Sequence, residues 1–412
     1  MEYKVRHLES KLKETARHFK VVLVLGARQV GKSTLLHHVF PEAQVILFEP
    51  LQDLYNVRED PDLFLNNFPS PLILDEVQYV PELLPTLKRR VDASDKKGQY
   101  FLTGSQNLSV LKTVAESMAG RVGILNLEGF TTEEMLGLGT KTGWLPIYLN
   151  HPEALRTSVR GVYQEFANLA HFLWRGTYPG ILEIPDSGIS TYFRSYLQTY
   201  VDRDVRTMEN IKELADFNRF LNLVAALSAQ EINASHLGRE IGIAPATAQR
   251  WLDLLTYTYQ WLELFPYHGN TIKRISGKRK GHLRDTGLGC YLQRISSPEG
   301  VAAHPNLGAL FESWVVNYIY RQFVHLPLDP HAYHWRTHGG AEVDLILEMN
   351  GKLYPIEIKC KTNVSKQDAS GIKAFRETYP RQNVMPGLIV YCGNECFAVD
   401  EDVIALPWNA VV

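Results

Sequence analysis

The sequence predicts an α/β protein of several modules, with a mostly parallel sheet first and a smaller α/β module last. Three observations predict this order. Short apolar runs alternate with helical patterns over residues 20–130, two short helices joined by a turn follow residue 215, and several strands follow a long helix after residue 305. Strands that alternate with helices favour βαβ units and therefore a parallel sheet.

The composition is that of a globular protein, with 45% hydrophobic residues, 21% charged residues and a formal net charge of −2. A chain of 412 residues is expected to form more than one domain, since domains cluster at roughly 100–200 residues. Any affinity for nucleic acid must come from a local basic patch. The four cysteines all fall in the C-terminal third and lack the density of a disulfide framework. Together with the lack of an apolar run near the roughly 20 residues of a membrane span, they predict a cytoplasmic protein without membrane contact.

The first module, residues 1–150, is predicted to hold five strands. Each is a short apolar run that alternates along the chain with a helical pattern. The runs are VVLVL (21–25), QVILF (44–48), PLILDE (71–76), YFLTG (100–104) and VGILNL (122–127).

The loop after the first strand reads GARQVGKS. This is the G-x-x-x-x-G-K-[ST] pattern of a phosphate-binding loop, in the strand–loop–helix context that the motif requires. Its glycines let backbone N–H groups face phosphate oxygens, and the N-terminus of the next helix adds a positive dipole. We expect Lys32 to reach the β- and γ-phosphates of ATP, and Ser33 to bind Mg²⁺. The residues predicted to hold the nucleotide are Gly26, Ala27, Arg28, Gln29, Val30, Gly31, Lys32, Ser33 and Thr34.

Two adjacent carboxylates end the strand PLILDE. Asp75 would hold Mg²⁺ through its water shell, and Glu76 would be the general base that polarises the attacking water. The pair predicts hydrolysis of ATP, whereas a solvated strand end is the alternative. Ser105, or else Thr103, would sense the γ-phosphate after the fourth strand, although turn chemistry alone would also select a serine there.

An arginine near the γ-phosphate would stabilise charge in the transition state. Arg121, just before the fifth strand, is the first candidate for this catalytic role, and a surface arginine is the alternative interpretation. Arg203 and Arg206 are further candidates. An arginine that acts on a neighbour's ATP would require an oligomer, so a homo-oligomer is expected.

Two modules follow. Residues 151–214 are rich in aromatic and helix-forming residues and are predicted to be a helical connector or lid. Residues 215–300 contain ASHLGREIGI and then PATAQRWLDLLTY, which match two helices joined by a turn, the second starting at Pro245 or Ala246. The runs WLELFPYH and GHLRDTGLGCYL would supply the β-hairpin of a winged helix.

A basic segment, TIKRISGKRKGHLR, lies in the predicted hairpin and contains no acidic residue. Such a cluster on a wing would contact the phosphates of DNA, and the second helix would enter a groove. A solvated loop, or a winged helix that binds protein, is the alternative. The residues predicted to contact DNA are Lys273, Arg274, Lys278, Arg279, Lys280 and Arg250.

The last module, residues 301–412, carries acidic residues on neighbouring strands. Asp344 lies on one strand, and Glu357 and Lys359 lie two apart on the next, so the latter two share a face. The carboxylates would bind Mg²⁺ while Lys359 orients or activates water, and Glu312 on the preceding helix would complete the site. This pattern predicts a restriction-endonuclease-like α/β domain with a possible metal-dependent nuclease activity. Amphipathic strands that face solvent are the alternative.

Six strings across the chain resemble one family. They are GARQVGKSTLL, LILDEVQ, FLTGSQNL, AGRVGILNLEGFTTEE, GTYPG and LRDTGLGCYL. Together they resemble the prokaryotic AAA+-like ATPases in which a P-loop domain is followed by a winged helix and a PD-(D/E)XK nuclease-like domain. The resemblance implies ATPase activity and engagement of DNA. The expected function is thus a DNA-processing ATPase. The alternative is an ATP-controlled regulatory switch whose winged helix and C-terminal domain bind protein partners.

Overall fold

The structure is a computed structural model of the chain. It describes residues 2–49, 54–105, 118–201, 205 and 214–412. Two of the arginines considered above, Arg203 and Arg206, lie outside these ranges. Within them, no helix combines the length and the apolar character needed to cross a membrane.

The N-terminal module is a parallel sheet covered by helices. Its central strand, over residues 100–104, and the strand over residues 21–25 beside it are buried at every position, because helices on both faces leave no solvent-facing side. The strands are β1 (Val21–Leu25), β2 (Gln44–Leu47), β3 (Leu72–Asp75), β4 (Tyr100–Gly104) and β5 (Val122–Asn126). The helices are α1 (Leu8–His18), α2 (Lys32–Val39), α3 (Pro61–Asn67) and α4 (Leu83–Asp92). The described strands are ordered β2-β3-β4-β1-β5, all parallel, which confirms the predicted α/β class.

Short helices dominate the described residues between this sheet and residue 201. They are α5 (Thr132–Met135), α6 (Leu145–Asn150), α7 (Leu155–Ser158), α8 (Leu169–Arg175) and α9 (Ile189–Tyr200). One short strand, β6 (Gly161–Val162), pairs antiparallel with residues 410–411 near the other end of the chain. The helical segment is therefore tied to the C-terminal module.

The next module combines helices with three antiparallel strands. Its elements are α10 (Leu214–Ala226), β7 (Gln230–Ile232), α11 (Ala234–Ile241), α12 (Pro245–Tyr257), β8 (Trp261–Pro266), α13 (Thr271–Ser276), β9 (Arg279–Leu283), α14 (Thr286–Leu292) and α15 (Pro298–Ala302). Gly242, at φ 87°, ends α11 in the left-handed conformation that a glycine adopts without strain. β9 lies between β7 and β8 and is antiparallel to both.

The run GHLRDTGLGCYL does not form the hairpin strand predicted for it. Only its first three residues belong to β9, and most of the remainder forms α14. The reason is local, because the Asp285 side chain accepts a hydrogen bond from the Leu288 N–H at 2.9 Å and so caps the helix.

The C-terminal module adds a long buried helix and further strands. Its elements are α16 (Leu307–Gln322), β10 (His331–Arg336), β11 (Glu342–Met349), β12 (Lys352–Lys359), α17 (Ser370–Thr378), β13 (Asn383–Val384), β14 (Gly387–Tyr391), β15 (Phe397–Asp400), β16 (Val403–Pro407) and β17 (Ala410–Val411). The described sheet has the order β15-β16-β14-β12-β11-β10-β8-β9-β7, and β13 pairs with β12 outside this path. Parallel pairing of β8 with β10 therefore joins two modules that the sequence predicts as separate domains.

Candidate active site

The loop between β1 and α2 has an unusual backbone. Gly26 has φ 153°, Gln29 has φ 61° and Gly31 has φ 91°. A Cβ atom on Gly26 would lie 2.0 Å from the carbonyl oxygen of Leu127, so this position requires glycine. The structure therefore supplies a steric reason for the first glycine of the motif.

Lys32 opens α2, and its side chain turns back over the loop. Its Nζ donates hydrogen bonds to the carbonyl oxygens of Gly26 at 3.0 Å and Ala27 at 2.9 Å. From the N-terminal segment, Arg6 Nη1 donates to the carbonyl oxygen of Val30 at 2.9 Å. Two cationic side chains, one from the N-terminal segment and one from the start of α2, thus bind carbonyl oxygens of the loop.

The two predicted Mg²⁺ ligands lie in contact. Ser33 Oγ donates a hydrogen bond to Asp75 Oδ2 at 2.7 Å. Thr103 Oγ1 donates to the other carboxylate oxygen and accepts from the Glu76 N–H at 2.9 Å. Since Mg²⁺ prefers oxygen ligands, a hydroxyl and a carboxylate in this position fit the ion. Thr103 orients Asp75 and so differs from its predicted alternative role as a phosphate sensor.

Glu76 lies beside this pair in a left-handed conformation, with φ 59°. Its Oε2 accepts hydrogen bonds from Ser105 Oγ at 3.1 Å and from Gln78. Burial by itself would raise the pKa of Glu76, but the charges of Lys32 and Arg28 and these hydrogen bonds lower it below its ordinary value. Glu76 is therefore an ionised carboxylate, as a general base must be.

Arg121 is placed differently from its predicted catalytic position. It precedes β5, which runs parallel to β1 with Val21 opposite Val122. Arg121 therefore lies at the amino edge of the sheet, roughly 16 Å of strand away from the loop that follows β1. Its guanidinium is paired with Asp92, with Nη2 3.2 Å from Oδ2. The prediction that Arg121 acts on ATP bound to its own chain is wrong, since ligands of such sheets bind at the carboxyl edge.

Two strings from the sequence, GTYPG and LRDTGLGCYL, meet below the phosphate loop. Asp285 Oδ2 accepts hydrogen bonds from the Thr177 N–H at 2.7 Å and from Thr177 Oγ1 at 2.9 Å. Arg321 on α16 donates to Thr177 Oγ1 at 3.0 Å, and Arg284 pairs with Glu128. The sequence assigns Arg284 only to the basic segment and gives Thr177, Asp285 and Arg321 no role. The signal for Thr177 and Asp285 is their place in two of the strings that resemble the ATPase family.

These residues border open space between the modules. A cavity of about 350 Å³ is lined by residues of the N-terminal segment, of the end of β5 and of α16. Arg284 and Arg321 also line a second, narrower space that reaches the loop residues Ala27 and Val30. Two residues of the phosphate loop therefore line a space that is also lined by residues of the later modules, among them Thr177, Tyr259 and Arg321.

The predicted C-terminal site residues are brought together around β11 and β12. Lys359 Nζ lies 2.9 Å from Glu357 Oε2 and 4.0 Å from Asp344 Oδ2. Lys280 on β9 inserts among them, with its Nζ 3.0 Å from Asp344 Oδ1 and in contact with Glu312 Oε1. Burial opposes the charged form of Lys280, but these two carboxyl groups raise its pKa, so it is an ammonium.

The ready-made metal site predicted from Asp344, Glu357 and Glu312 is not what the structure shows. Across the described ranges, no three His, Cys, Asp or Glu side chains are placed to hold a metal ion. The physical reason is that Lys280 lies between Asp344 and Glu312, while Lys359 pairs with Glu357.

Several positive charges of the basic segment are paired with acidic side chains from outside it. Lys280 is 8% exposed, so the prediction that it contacts DNA is wrong for this arrangement. Arg279 pairs with Glu263 at 2.7 Å. The acids that pair with Arg279 and Lys280 lie on β8, β11 and α16, so a local reading of the segment cannot reveal them.

The other residues predicted to contact DNA differ in their exposure to solvent. Arg274 pairs with Glu348 at 2.8 Å and lies over the ring of Tyr267. Lys273, Lys278 and Arg250 are exposed. These three side chains therefore face solvent from α13, from the loop just before β9 and from α12.

A phosphate loop at the carboxyl edge of a parallel sheet, next to a serine–aspartate pair and an ionised glutamate, defines a P-loop nucleotide-binding module. The comparison with protein families agrees, since residues 18–136 match the model described as AAA domain. This chain therefore carries an AAA-type P-loop ATPase domain.

The later modules match families without an assigned role. Residues 167–299 match the domain of unknown function DUF8612, and residues 307–411 match the domain of unknown function DUF4143. These descriptions specify neither a winged helix nor a nuclease.

Whole-chain relatives include two uncharacterized mycobacterial proteins. One is from Mycobacterium tuberculosis and one from Mycobacterium bovis, and each is 27% identical over 99% of this chain and 84% of its own length. Their names assign no activity.

Solved structures are more distant. A Walker-type ATPase of Pyrococcus abyssi is 15% identical, covers 71% of this chain and 99% of its own, and has a TM-score of 0.41. The RuvB Holliday junction branch migration motor of Thermotoga maritima is 16% identical, covers 63% and 89%, and has a TM-score of 0.33.

Proposed function

We propose that this protein binds ATP with Mg²⁺ at the loop GARQVGKS and hydrolyses it. The observation that carries the proposal is the contact of Ser33 with Asp75 beside the ionised Glu76. These are the parts that phosphoryl transfer requires, since its catalysis consists mainly of positioning and electrostatic stabilisation.

Each residue then has a defined task. Lys32 leaves the carbonyl groups of the loop and binds the β- and γ-phosphate oxygens. Glu76 accepts a proton from the water whose oxygen forms the new bond to the γ-phosphorus, while the bond from that phosphorus to the β,γ-bridging oxygen breaks. The products are ADP and inorganic phosphate. Ser33 and Asp75 would hold Mg²⁺, which would supply positive charge that offsets the charge of the phosphates.

The first test is ATP turnover by the full chain and by Lys32→Ala. We expect the variant to fall to the background of phosphate release, because the ammonium that binds the phosphates is lost. Lys13→Ala, which changes an exposed lysine on α1, is the matched control and should turn over ATP like the wild type. Wild-type turnover by Lys32→Ala would contradict the proposal.

We further propose that residues 214–283 act as a winged helix that brings the ATPase to DNA. The supporting observation is the exposure of Arg250 on α12, the second helix of the pair, with Lys273 and Lys278 exposed on the segment between β8 and β9. Positive side chains at such places bind phosphates or groove edges. A homo-oligomer belongs to this proposal, because the placement of Arg121 leaves a transition-state arginine to be supplied from elsewhere.

The DNA proposal is tested by fluorescence anisotropy with labelled single-stranded, duplex and junction DNA at low salt. Arg250→Ala is expected to weaken binding about 5- to 150-fold, since a base contact contributes about 1–3 kcal/mol. Arg381→Ala, another exposed arginine, serves as the charge-matched control. ATP turnover combined with no binding to any DNA form would contradict this part. The alternative, an ATP-controlled regulatory switch that binds protein partners, would then be favoured.

A further inference from the structure

The acidic cluster of the C-terminal module, formed by Asp344, Glu357 and Glu312, already contains a cation. Lys280 Nζ bridges Asp344 on β11 and Glu312 on α16, with 3.0 Å to the Asp344 oxygen. The second oxygen of Asp344 accepts the Ile358 N–H at 2.9 Å. One ammonium therefore occupies the space between two carboxyl groups from different elements, which is the position that a bound cation would take.

Burial favours a cation beside Asp344. Asp344 is 4% exposed, Glu357 is 2% exposed and Lys280 is 8% exposed. A buried carboxylate that loses its counter-charge is strongly destabilising, so Asp344 needs either the lysine or another cation.

A second observation points to a metal ion as the alternative occupant. His282, on the same strand as Lys280, is fully buried, and its Nε2 lies 4.0 Å from Glu312 Oε1. Among the described residues this Nε2 has no hydrogen-bond partner, while Nδ1 lies 3.2 Å from Ser313 Oγ. A neutral imidazole fixed through one nitrogen leaves the other for a metal, and the neighbouring carboxylates are ligands that suit Mn²⁺ and Mg²⁺.

We propose that the ammonium of Lys280 stands in for a divalent cation in the acidic cluster, which takes up Mn²⁺ or Mg²⁺ only when Lys280 is absent or withdrawn. The lysine belongs to β9, whereas Asp344 and Glu312 belong to the following module. A residue of the preceding module, Lys280, therefore occupies the place of a metal ion in the acidic cluster. A shift of β9 would be needed before the cluster could act as the metal-dependent phosphodiesterase that its residues suggest.

The position of β9 shows where such a shift would start. Arg284 and Asp285 directly follow β9 and contact Glu128 and Thr177 below the phosphate loop. Lys280 lies four residues earlier, roughly 13 Å along an extended strand. A continuous stretch of chain thus connects the acidic cluster with the nucleotide-binding module.

The proposal is tested by titrating nucleotide-free full-length protein with Mn²⁺ and measuring free Mn²⁺ by electron paramagnetic resonance. All variants carry Asp75→Asn, so that the phosphate loop contributes no metal binding. We expect no Asp344-dependent binding with Lys280 present. Lys280→Met should bind one Mn²⁺ per chain, and adding Asp344→Asn should abolish that binding. Lys278→Met, which removes an exposed lysine two residues away, is the matched control and should not gain a site.

Two results would overturn the proposal. One is binding of Mn²⁺ with Lys280 in place that Asp344→Asn abolishes, and the other is a folded Lys280→Met variant without a site. If Lys280→Met is unstable in metal-free buffer, Mn²⁺ should raise its unfolding temperature, because a ligand that binds only the folded state stabilises it. The same rise with Asp344→Asn present, or no rise at all, would also refute the proposal.

Discussion

Replacing Glu76 with glutamine is expected to slow ATP hydrolysis by about two to four orders of magnitude while ATP still binds. Glutamine keeps the shape of the side chain and can still bond to Ser105, but it cannot accept the proton of the attacking water. Turnover is measured by phosphate release, and binding is measured separately with a fluorescent ATP analogue. The expected result is loss of turnover with little change in affinity.

Glu82→Gln is the matched control, since Glu82 is exposed just before α4. It should turn over ATP at the wild-type rate. An equal loss of analogue binding in Glu76→Gln would show that Glu76 positions the loop and does not act as the base.

The pH dependence provides a second readout of the same group. The pKa of Glu76 is lowered by Lys32, Arg28 and its hydrogen bonds against the effect of burial, so the carboxylate remains charged at neutral pH. Turnover should therefore be insensitive to this group near neutrality and fall only as the pH decreases through the lowered pKa.

Replacing Arg6 with methionine is expected to lower the free energy of unfolding by about 3–5 kcal/mol. Arg6 Nε lies 3.0 Å from Glu134 Oε1, and both side chains are only 4% exposed. The same guanidinium donates to the carbonyl oxygens of Val30 and Glu128. Its loss would leave Glu134 buried without its counter-charge and would release one side of the phosphate loop. Urea unfolding monitored by tryptophan fluorescence measures the change.

Two further variants distinguish the effect of losing the Arg6–Glu134 ion pair from the effect of removing any arginine. Arg17→Met, at an exposed position on α1, should change stability by less than about 0.5 kcal/mol. Arg6→Met combined with Glu134→Gln should recover part of the loss, because no buried carboxylate remains. If Arg6→Met unfolds like Arg17→Met, the pair does not stabilise the junction of α1 and the loop.

The sign of the pH effect follows from the lowered pKa of Glu134. Burial by itself would raise the pKa of Glu134. The charges of Arg6 and His7 and hydrogen bonds from backbone N–H groups outweigh burial, so this pKa lies below its ordinary value. The contribution of the pair to stability is thus present above the ordinary pKa of a glutamate and is lost as the pH falls through the lowered value. The difference between wild type and Arg6→Met should accordingly shrink at acidic pH.

Much of the nucleotide site can be read from local sequence. Each of the five N-terminal strands was predicted to within one residue at either end, because each is a short apolar run between polar breaks. Three of them, β1, β3 and β4, are buried at every position, as strands covered on both faces are, whereas β2 and β5 at the edges of the sheet are partly exposed. The loop motif specifies its own backbone, and Asp75 and Glu76 directly end a strand whose carboxyl edge must lie beside it. Periodicity also placed Asp344, Glu357 and Lys359 on neighbouring strands.

Only the tertiary structure decided which charges meet. Arg121 resembled a catalytic arginine until the direction of β5 placed it at the far edge of the sheet. Lys280 resembled a DNA contact until the pairing of β8 with β10 brought β9 against Asp344. Sequence patterns determine which face of a strand is apolar, whereas partners from distant strands depend on sheet order and on the cost of burying an uncompensated charge. Local sequence therefore determined which residues form the two sites. The fold determined that Lys280 is the cation within the C-terminal site.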